Sequence, residues 1–300
     1  MKLDLTQFLN EVQDRIQQIT GQDTRVDIQE VRKNNNVVLH GISIMRAGQN
    51  VSPTIYLEGF YDEYVRGMPM EKIVDKVLSL YLSGTPRKKL DMSFFTDFQQ
   101  VKDRIVYRLI NRSRNNELLE RIPHIDFLDL AVCFYYAFQN KDLGNGMILI
   151  QNSHMEMWGT NHRELMRLAE ENAPKLFPAE LVSMEKMLEM IWDGDEMEKY
   201  RDAVNLYILT NDQRSQGAAC VLYPGVLKRA SKMLGGSFYV LPSSIHEVIL
   251  LKDDGNQDKN YLHCMVRDIN VSQVKTEECL SDYPYYYDAE IGRISQLFEL

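Results

Sequence analysis

FYVLPSSIHEVILL, residues Phe238–Leu251, is two apolar runs split by a proline, two serines, a histidine and a glutamate. Apolar runs bounded by turn residues read as strands. Pro242, Ser243 and Ser244 are turn chemistry, because proline presets φ and serine hydroxyls satisfy nearby backbone groups. Strand following strand here, and again elsewhere in the chain, favours mixed or mainly antiparallel sheets with packed helices over a doubly wound fold. The expected class is α+β, in two or three packed subdomains.

Upstream of this stretch, AVNLYILTN reads as a strand. GAACVLYPGVLKRASKMLGG reads as a short apolar run turning into a helix. Val226, Leu227, Ala230, Met233 and Leu234 supply its buried side, and Gly235 caps it. Downstream, QDKNYLHCMVRDI is a helix and DYPYYYDAEIGRISQLF a closing hairpin. The acidic WDGDEMEKY (Trp192–Tyr200) is a connector to a middle region. There RIVYRLINRS, IDFLDLAVCFYYAF and GMILIQ look like strands, with NKDLGNG as a turn, and NHRELMRLAEENAPKLF is a helix. At the N-terminus, Leu5, Phe8, Leu9, Val12, Ile16 and Ile19 share one face of a helix that Asp4 starts and Gly21 stops. Three strand-like runs follow, punctuated by Asn34–Asn36 and Ala47–Asn50. A second helix then turns Ile73, Val77 and Leu80 inward and closes at Gly84. The expected segments are 1–95, 96–198 and 199–300. TIYLEGFYDEYVRGMPMEK and MILIQNSHMEMWGTNHREL share the order strand, short aromatic helix, loop, longer helix. Their identity is slight, so a common α+β grammar is the better reading than a duplication.

The chain has 300 residues, 44% hydrophobic and 26% charged, enough for a sizeable core without disulfide or metal staples. A formal net charge of −9 argues against a general nucleic-acid or anionic-membrane binder. MKLDLTQFLNEVQDRIQQIT lacks the apolar core of a signal peptide, and no run reaches the roughly 18 apolar residues of a membrane span. Cys133, Cys220, Cys264 and Cys279 are scattered without CxxC spacing, as reduced cytoplasmic thiols are.

Ser243, Ser244, His246 and Glu247 are the residues most suggestive of catalysis. In an extended segment Ser244 and His246 share a face and Glu247 lies opposite. All four are local, whereas a nucleophile, its base and its orienting acid converge from separate elements. No G-x-S-x-G elbow occurs. The reading favoured is a turn with a binding role. His154 and His162 are eight apart, and adjacent His263 and Cys264 cannot both face one ion on a helix, so no metal or other cofactor is expected. GNG and LGG lack phosphate-loop patterns and read as turns. PRKK (Pro86–Lys89) and RLINRSR (Arg108–Arg114) are short; the second alternates with apolar residues, as a strand with one face in water does. GFYDEYVRG and YPYYYD set tyrosines beside acids. Most such tyrosines pack internally, and the remainder, with Tyr285 and Tyr286 foremost, are candidates for a partner surface.

LTNDQRSQGAACVLYPGVLKRASKMLGGSFYVLPSSIHEVILL, its continuation VRDINVSQVKTEECLSDYPYYYDAEIGRI, and GISIMRAGQNVSPTIYLEGFYDEYVRG together resemble an uncharacterised family of gut clostridia and related Gram-positive bacteria. Its members are labelled only as a domain of unknown function. A second unannotated family, of Bacillus-type bacteria, has a similar C-terminal segment. The residues that read as motif are Gly217, Ala218, Tyr223, Pro224, Gly225, Leu241, Pro242, Ser243, Ser244, His246 and Glu247. The resemblance implies a cytoplasmic bacterial protein, often carried by mobile elements, and supplies no catalytic residues.

The function expected is therefore a non-enzymatic protein-binding or regulatory one. Tyr223, Ser243, Ser244, His246, Glu247, Tyr285 and Tyr286 are the nominated binding residues, toward an unidentified protein partner and neither membrane nor nucleic acid. The alternatives are a hydrolase using Ser243 or Ser244 with His246, and an acidic anti-defence or nucleic-acid-mimic protein.

Overall fold

The computed structural model describes residues 2–85, 93–140, 144–184, 206–242 and 244–298. Three sheets carry helices against them, and the strand pairs described below are antiparallel, so the fold is α+β. The chain divides into two compact units, Met1–Phe94 with Phe138–Gly146, and Phe95–Ala137 with Met147–Leu300.

The first unit opens with α1 (Leu5–Thr20). Asp4 caps it: its carboxylate accepts the Gln7 N–H at 2.8 Å, while Gln7 Oε1 accepts the Asp4 N–H at 3.1 Å. Gly21 ends it at φ 79°. Phe8, Leu9, Val12 and Ile16 are buried, as their spacing predicts. Ile19 is 61% exposed although it shares their face, because it lies in the last turn. The sheet runs β1 (Thr24–Arg32), β2 (Val38–Arg46), β3 (Thr54–Tyr56). Asn35 and Asn36 link β1 to β2 at φ 59° and 57°, a conformation asparagine tolerates. Then come α2 (Glu58–Val65) and α3 (Met70–Gly84). Met70, Ile73, Val74, Val77 and Tyr81 of α3 join Ile42, Ile44 and Phe8 in one core. Leu80 falls on the flank of that stripe and is 49% exposed, contrary to its expected inward place.

The second unit begins with α4 (Phe98–Val101) and β4 (Ile105–Asn111). β4 is buried on both faces. RLINRSR was expected to show one face to water; instead β4 has α7 (defined below) against it, so its apolar alternation reflects two covered sides. α5 (Asn116–Leu119) precedes β5 (His124–Phe127) and β6 (Leu130–Asn140). IDFLDLAVCFYYAF is thus two paired strands, not one, because Leu128 at φ 56° turns the chain between them. β7 (Gly144–Leu149) pairs with β6, and α6 (Asn152–Trp158) and α7 (His162–Leu176) follow. The two look-alike segments both fold as strand, short helix, longer helix: β3–α2–α3 and β7–α6–α7.

The remaining strands are β8 (Ala179–Ser183), β9 (Leu206–Asn211), β10 (Phe238–Leu241), β11 (Val248–Lys252), β12 (Tyr285–Asp288) and β13 (Arg293–Gln296). They form one sheet ordered β13-β12-β10-β11-β9-β8. β10 and β11 pair antiparallel from Phe238 opposite Lys252 to Leu241 opposite Ile249, as the opening stretch predicts. The closing hairpin is β12–β13. α8 (Val226–Leu234) buries Val226, Leu227, Ala230 and Leu234 and stops at Gly235. Met233, expected inside, is 56% exposed. α9 (Lys259–Ser272) sets Leu262 and Val266 against Tyr239 and Leu241, with Tyr286 alongside. PRKK and WDGDEMEKY lie outside the described residues. Among the described residues no helix is long and apolar enough to cross a membrane.

Candidate functional site

The chain between β10 and β11 is a turn held by its own polar groups. Ser244 is buried, and its Oγ accepts the His246 N–H at 3.0 Å. The Ser244 N–H donates to the Glu247 carbonyl at 3.3 Å. The Ile245 N–H donates to the Glu278 carbonyl at 2.8 Å. His246 Nδ1 accepts the Gln216 N–H at 3.2 Å, which leaves the proton of the neutral ring on Nε2, 3.9 Å from Glu278 Oε1. Ser244 and His246 are therefore brought together through the backbone, not as a hydroxyl on an imidazole. Ser243 lies outside the described residues. Replacing Ser244 by alanine removes one turn hydrogen bond and is expected to lower stability by about 1 kcal/mol in a urea titration.

The turn is docked on the residues that lead into α8. The Thr210 hydroxyl donates to the His246 carbonyl at 2.8 Å, and the Ala218 N–H donates to the Ile245 carbonyl at 3.2 Å. Gly217 lies in the junction. A Cβ there would sit 2.3 Å from Thr210 Oγ1 and 2.6 Å from both the Asn211 nitrogen and the His246 oxygen. Two of those three are backbone atoms that cannot step aside. Gly217→Ala is accordingly expected to cost about 2–3 kcal/mol, measurable as a lowered urea midpoint at unchanged slope. Gly217 and the turn Ser244–Glu247 are thus one packing unit.

Past Gly217 a 3-10 segment (Gly217–Leu222) delivers Tyr223, Pro224 and Gly225 to the start of α8. Tyr223 is buried with its ring 6.0 Å from that of Tyr107, and Gly225 turns the chain at φ 76°. These three residues border an open groove of about 790 Å³ between α8 and the β12–β13 hairpin. Lys228, Ser231 and Lys232 line it from α8, Tyr287 and Ile294 from the strands, and Glu290–Arg293 from the hairpin turn.

Tyr285 is 2% exposed and donates its hydroxyl to Asp129 Oδ1 at 2.8 Å. Tyr286 is half-buried; it donates to Asp253 Oδ2 at 2.8 Å and packs its ring 5.2 Å from Tyr239. Glu247 is half-buried and gives its carbonyl to the turn. Two important residues had no signal in the sequence. Asp129 and Ser281 are both buried and meet at 2.6 Å, 152 positions apart. Asp129 lies in the turn between the paired strands β5 and β6.

The profile of the family of unknown function DUF5688 matches residues 5–289. The chain belongs to this family. No curated protein and no solved structure matches it. The DUF5688 match takes in Gly217, the turn Ser244–Glu247, Tyr223–Gly225 and all of α8, and ends in the turn before β13. Among the described residues no group of three or more His, Cys, Asp or Glu side chains is placed to hold a metal ion.

Proposed function

We propose that the chain is a non-enzymatic binding or regulatory protein that engages a protein partner through the groove beside Tyr223–Gly225. One observation carries this reading. Ser244 and His246 spend their side chains on backbone N–H groups, those of His246 and Gln216, and the turn they hold docks on the segment that leads to the wall of an open groove. A nucleophile needs a base in hydrogen-bond reach. Here His246 Nδ1 already accepts from Gln216, and Nε2 faces Glu278. The bacterial, cytoplasmic and mobile-element setting we assign to this role comes from the sequence resemblance.

The reading is tested by two measurements on the full chain. A panel of serine-directed fluorophosphonate probes is expected to leave the folded protein unlabelled. Labelling that disappears in S243A/S244A would establish the hydrolase alternative instead. A photo-cross-linking residue at Ile291, on the groove rim, is expected to give one discrete protein adduct in host cells. The same residue at exposed Ile19, in the first unit, is expected to give none.

A further inference from the structure

We infer that the groove takes an extended peptide segment of a partner protein with acidic residues at alternate positions and apolar residues between them. This rests on the protein-binding role proposed above and names the chemistry of the partner. Lys228 and Lys232 stand one turn apart on the face of α8 that lines the groove, and Arg293 begins β13 at the opposite rim. All three are exposed, and none has an ion-pair partner among the described residues. Arg15, Arg112, Arg114 and Arg167, by contrast, each hold a carboxylate. Three cations without an ion pair, against Glu290 in the lining and Asp288 opposite Arg293 on the hairpin, make a local positive excess on a chain of net charge −9.

The spacing selects the form of the ligand. Residues four apart on a helix rise by about 6 Å. Residues two apart on an extended chain are separated by about 6.6 Å. Alternate acidic side chains of an extended segment therefore meet Lys228 and Lys232 in turn. The intervening side chains point the other way, toward the hairpin, where Ile294 is half-buried and Ile291 is 75% exposed. Burying that isoleucine removes apolar surface from water and adds to the charge attraction. A nucleic acid suits the groove less well. Three cations reach only a few phosphates, against the roughly six to ten contacts of a strong backbone binder, and the acidic remainder of the chain repels a polyanion.

The test is fluorescence anisotropy on the full chain with a labelled peptide of about eight residues that alternates glutamate and valine. Comparison probes are the same peptide with glutamine for glutamate, and single-stranded oligothymidylate of about twelve nucleotides. The glutamate peptide is expected to bind saturably and to weaken several-fold as salt rises from about 50 to 300 mM. K228E/K232E is expected to lose at least ~10-fold in affinity, because like charges then face each other. K259E, at the exposed start of α9, is expected to bind as the unaltered chain does. Lys228 and Lys232 are exposed, so the double variant keeps its fold, and a thermal melt checks that. Equal binding of the glutamine peptide, lost in I291D but unchanged in K228E/K232E, would overturn the acidic ligand and leave the protein-binding groove standing. Tighter binding of the oligothymidylate would overturn it in favour of nucleic acid. If no probe binds and the Ile291 cross-linker also stays free, both this inference and the proposed role of the groove fall.

Discussion

Replacing Asp129 by alanine is expected to destabilise the chain by about 2–6 kcal/mol, from two buried hydroxyl donors left without an acceptor. The carboxylate is 8% exposed and takes two buried hydroxyls, Tyr285 Oη at 2.8 Å and Ser281 Oγ at 2.6 Å. Ser281 Oγ in turn accepts the Tyr283 N–H at 3.0 Å. The same segment is held on its other side: Asn111 Nδ2 donates to the Leu280 carbonyl at 3.0 Å, and Asn270 Nδ2 to the Ser281 carbonyl at 2.7 Å. Removing the acid strands two donors away from water, at about 1–3 kcal/mol each. Asp129→Asn keeps the shape and one acceptor, so it should cost less than the alanine. Tyr285→Phe removes one donor together with part of the acceptor's demand, so about 1–2 kcal/mol is expected. Urea unfolding of the three variants checks the order Ala, then Asn, then Phe. A loss under about 1 kcal/mol for Asp129→Ala would show that the network is not a keystone.

The second large effect is alkaline unfolding. Burial pushes the Cys133 thiol up to about 12 from an ordinary 9.0, and the Cys220 thiol likewise to about 12. Burial also raises the Tyr107, Tyr223 and Tyr285 phenols, and the Asp129 carboxylate adds to the rise at Tyr285. All five are neutral in the folded chain. Because the folded values lie above the unfolded ones, the unfolded chain releases these protons first as pH rises. The stabilisation is complete below the unfolded thiol value near 9 and is lost progressively as pH climbs through the folded values. One pKa unit is about 1.4 kcal/mol, so each thiol alone withdraws on the order of 4 kcal/mol by pH 12. Unfolding midpoints should therefore be flat from pH 7 to about 9 and fall steeply above it. C133A/C220A, by removing both thiols, should shift the onset toward the tyrosine range near pH 10. A midpoint that held constant to pH 11 would contradict the burial of these groups.

The sequence alone determined the elements whose cause is local. Asp4 and Gln7 form a capping box from neighbouring residues, and Gly21 and Gly235 end helices because each takes a positive φ. The alternation of apolar and turn residues from Phe238 to Leu251 sufficed for a hairpin and, with the other strand runs, for the α+β class. Spacing also placed Tyr223–Gly225 at a helix entry. Where the cause was distant, local reading failed. Leu80 and Met233 sit on helix flanks that the neighbouring elements leave uncovered, and β4 is closed on both faces because α7 lies against it. Leu128, a leucine in left-handed backbone, gives no turn signal, so β5 and β6 read as one strand.

The site divides the same way. Ser244 was legible as turn chemistry because its Oγ accepts an N–H only two residues on, that of His246. That His246 also receives the Gln216 N–H, 30 positions away, that Gly217 admits no Cβ against the His246 carbonyl, and that Asp129 meets Ser281, 152 positions away, depend on segments that only the fold brings together. Hydrophobic periodicity records which face of an element is covered. It carries no record of which polar atoms meet across the core, because a buried hydrogen bond depends on positions that only the packed sheets bring within 3 Å. The groove, with Lys228 and Lys232 on one wall and the β12–β13 hairpin on the other, likewise exists only once the chain is folded.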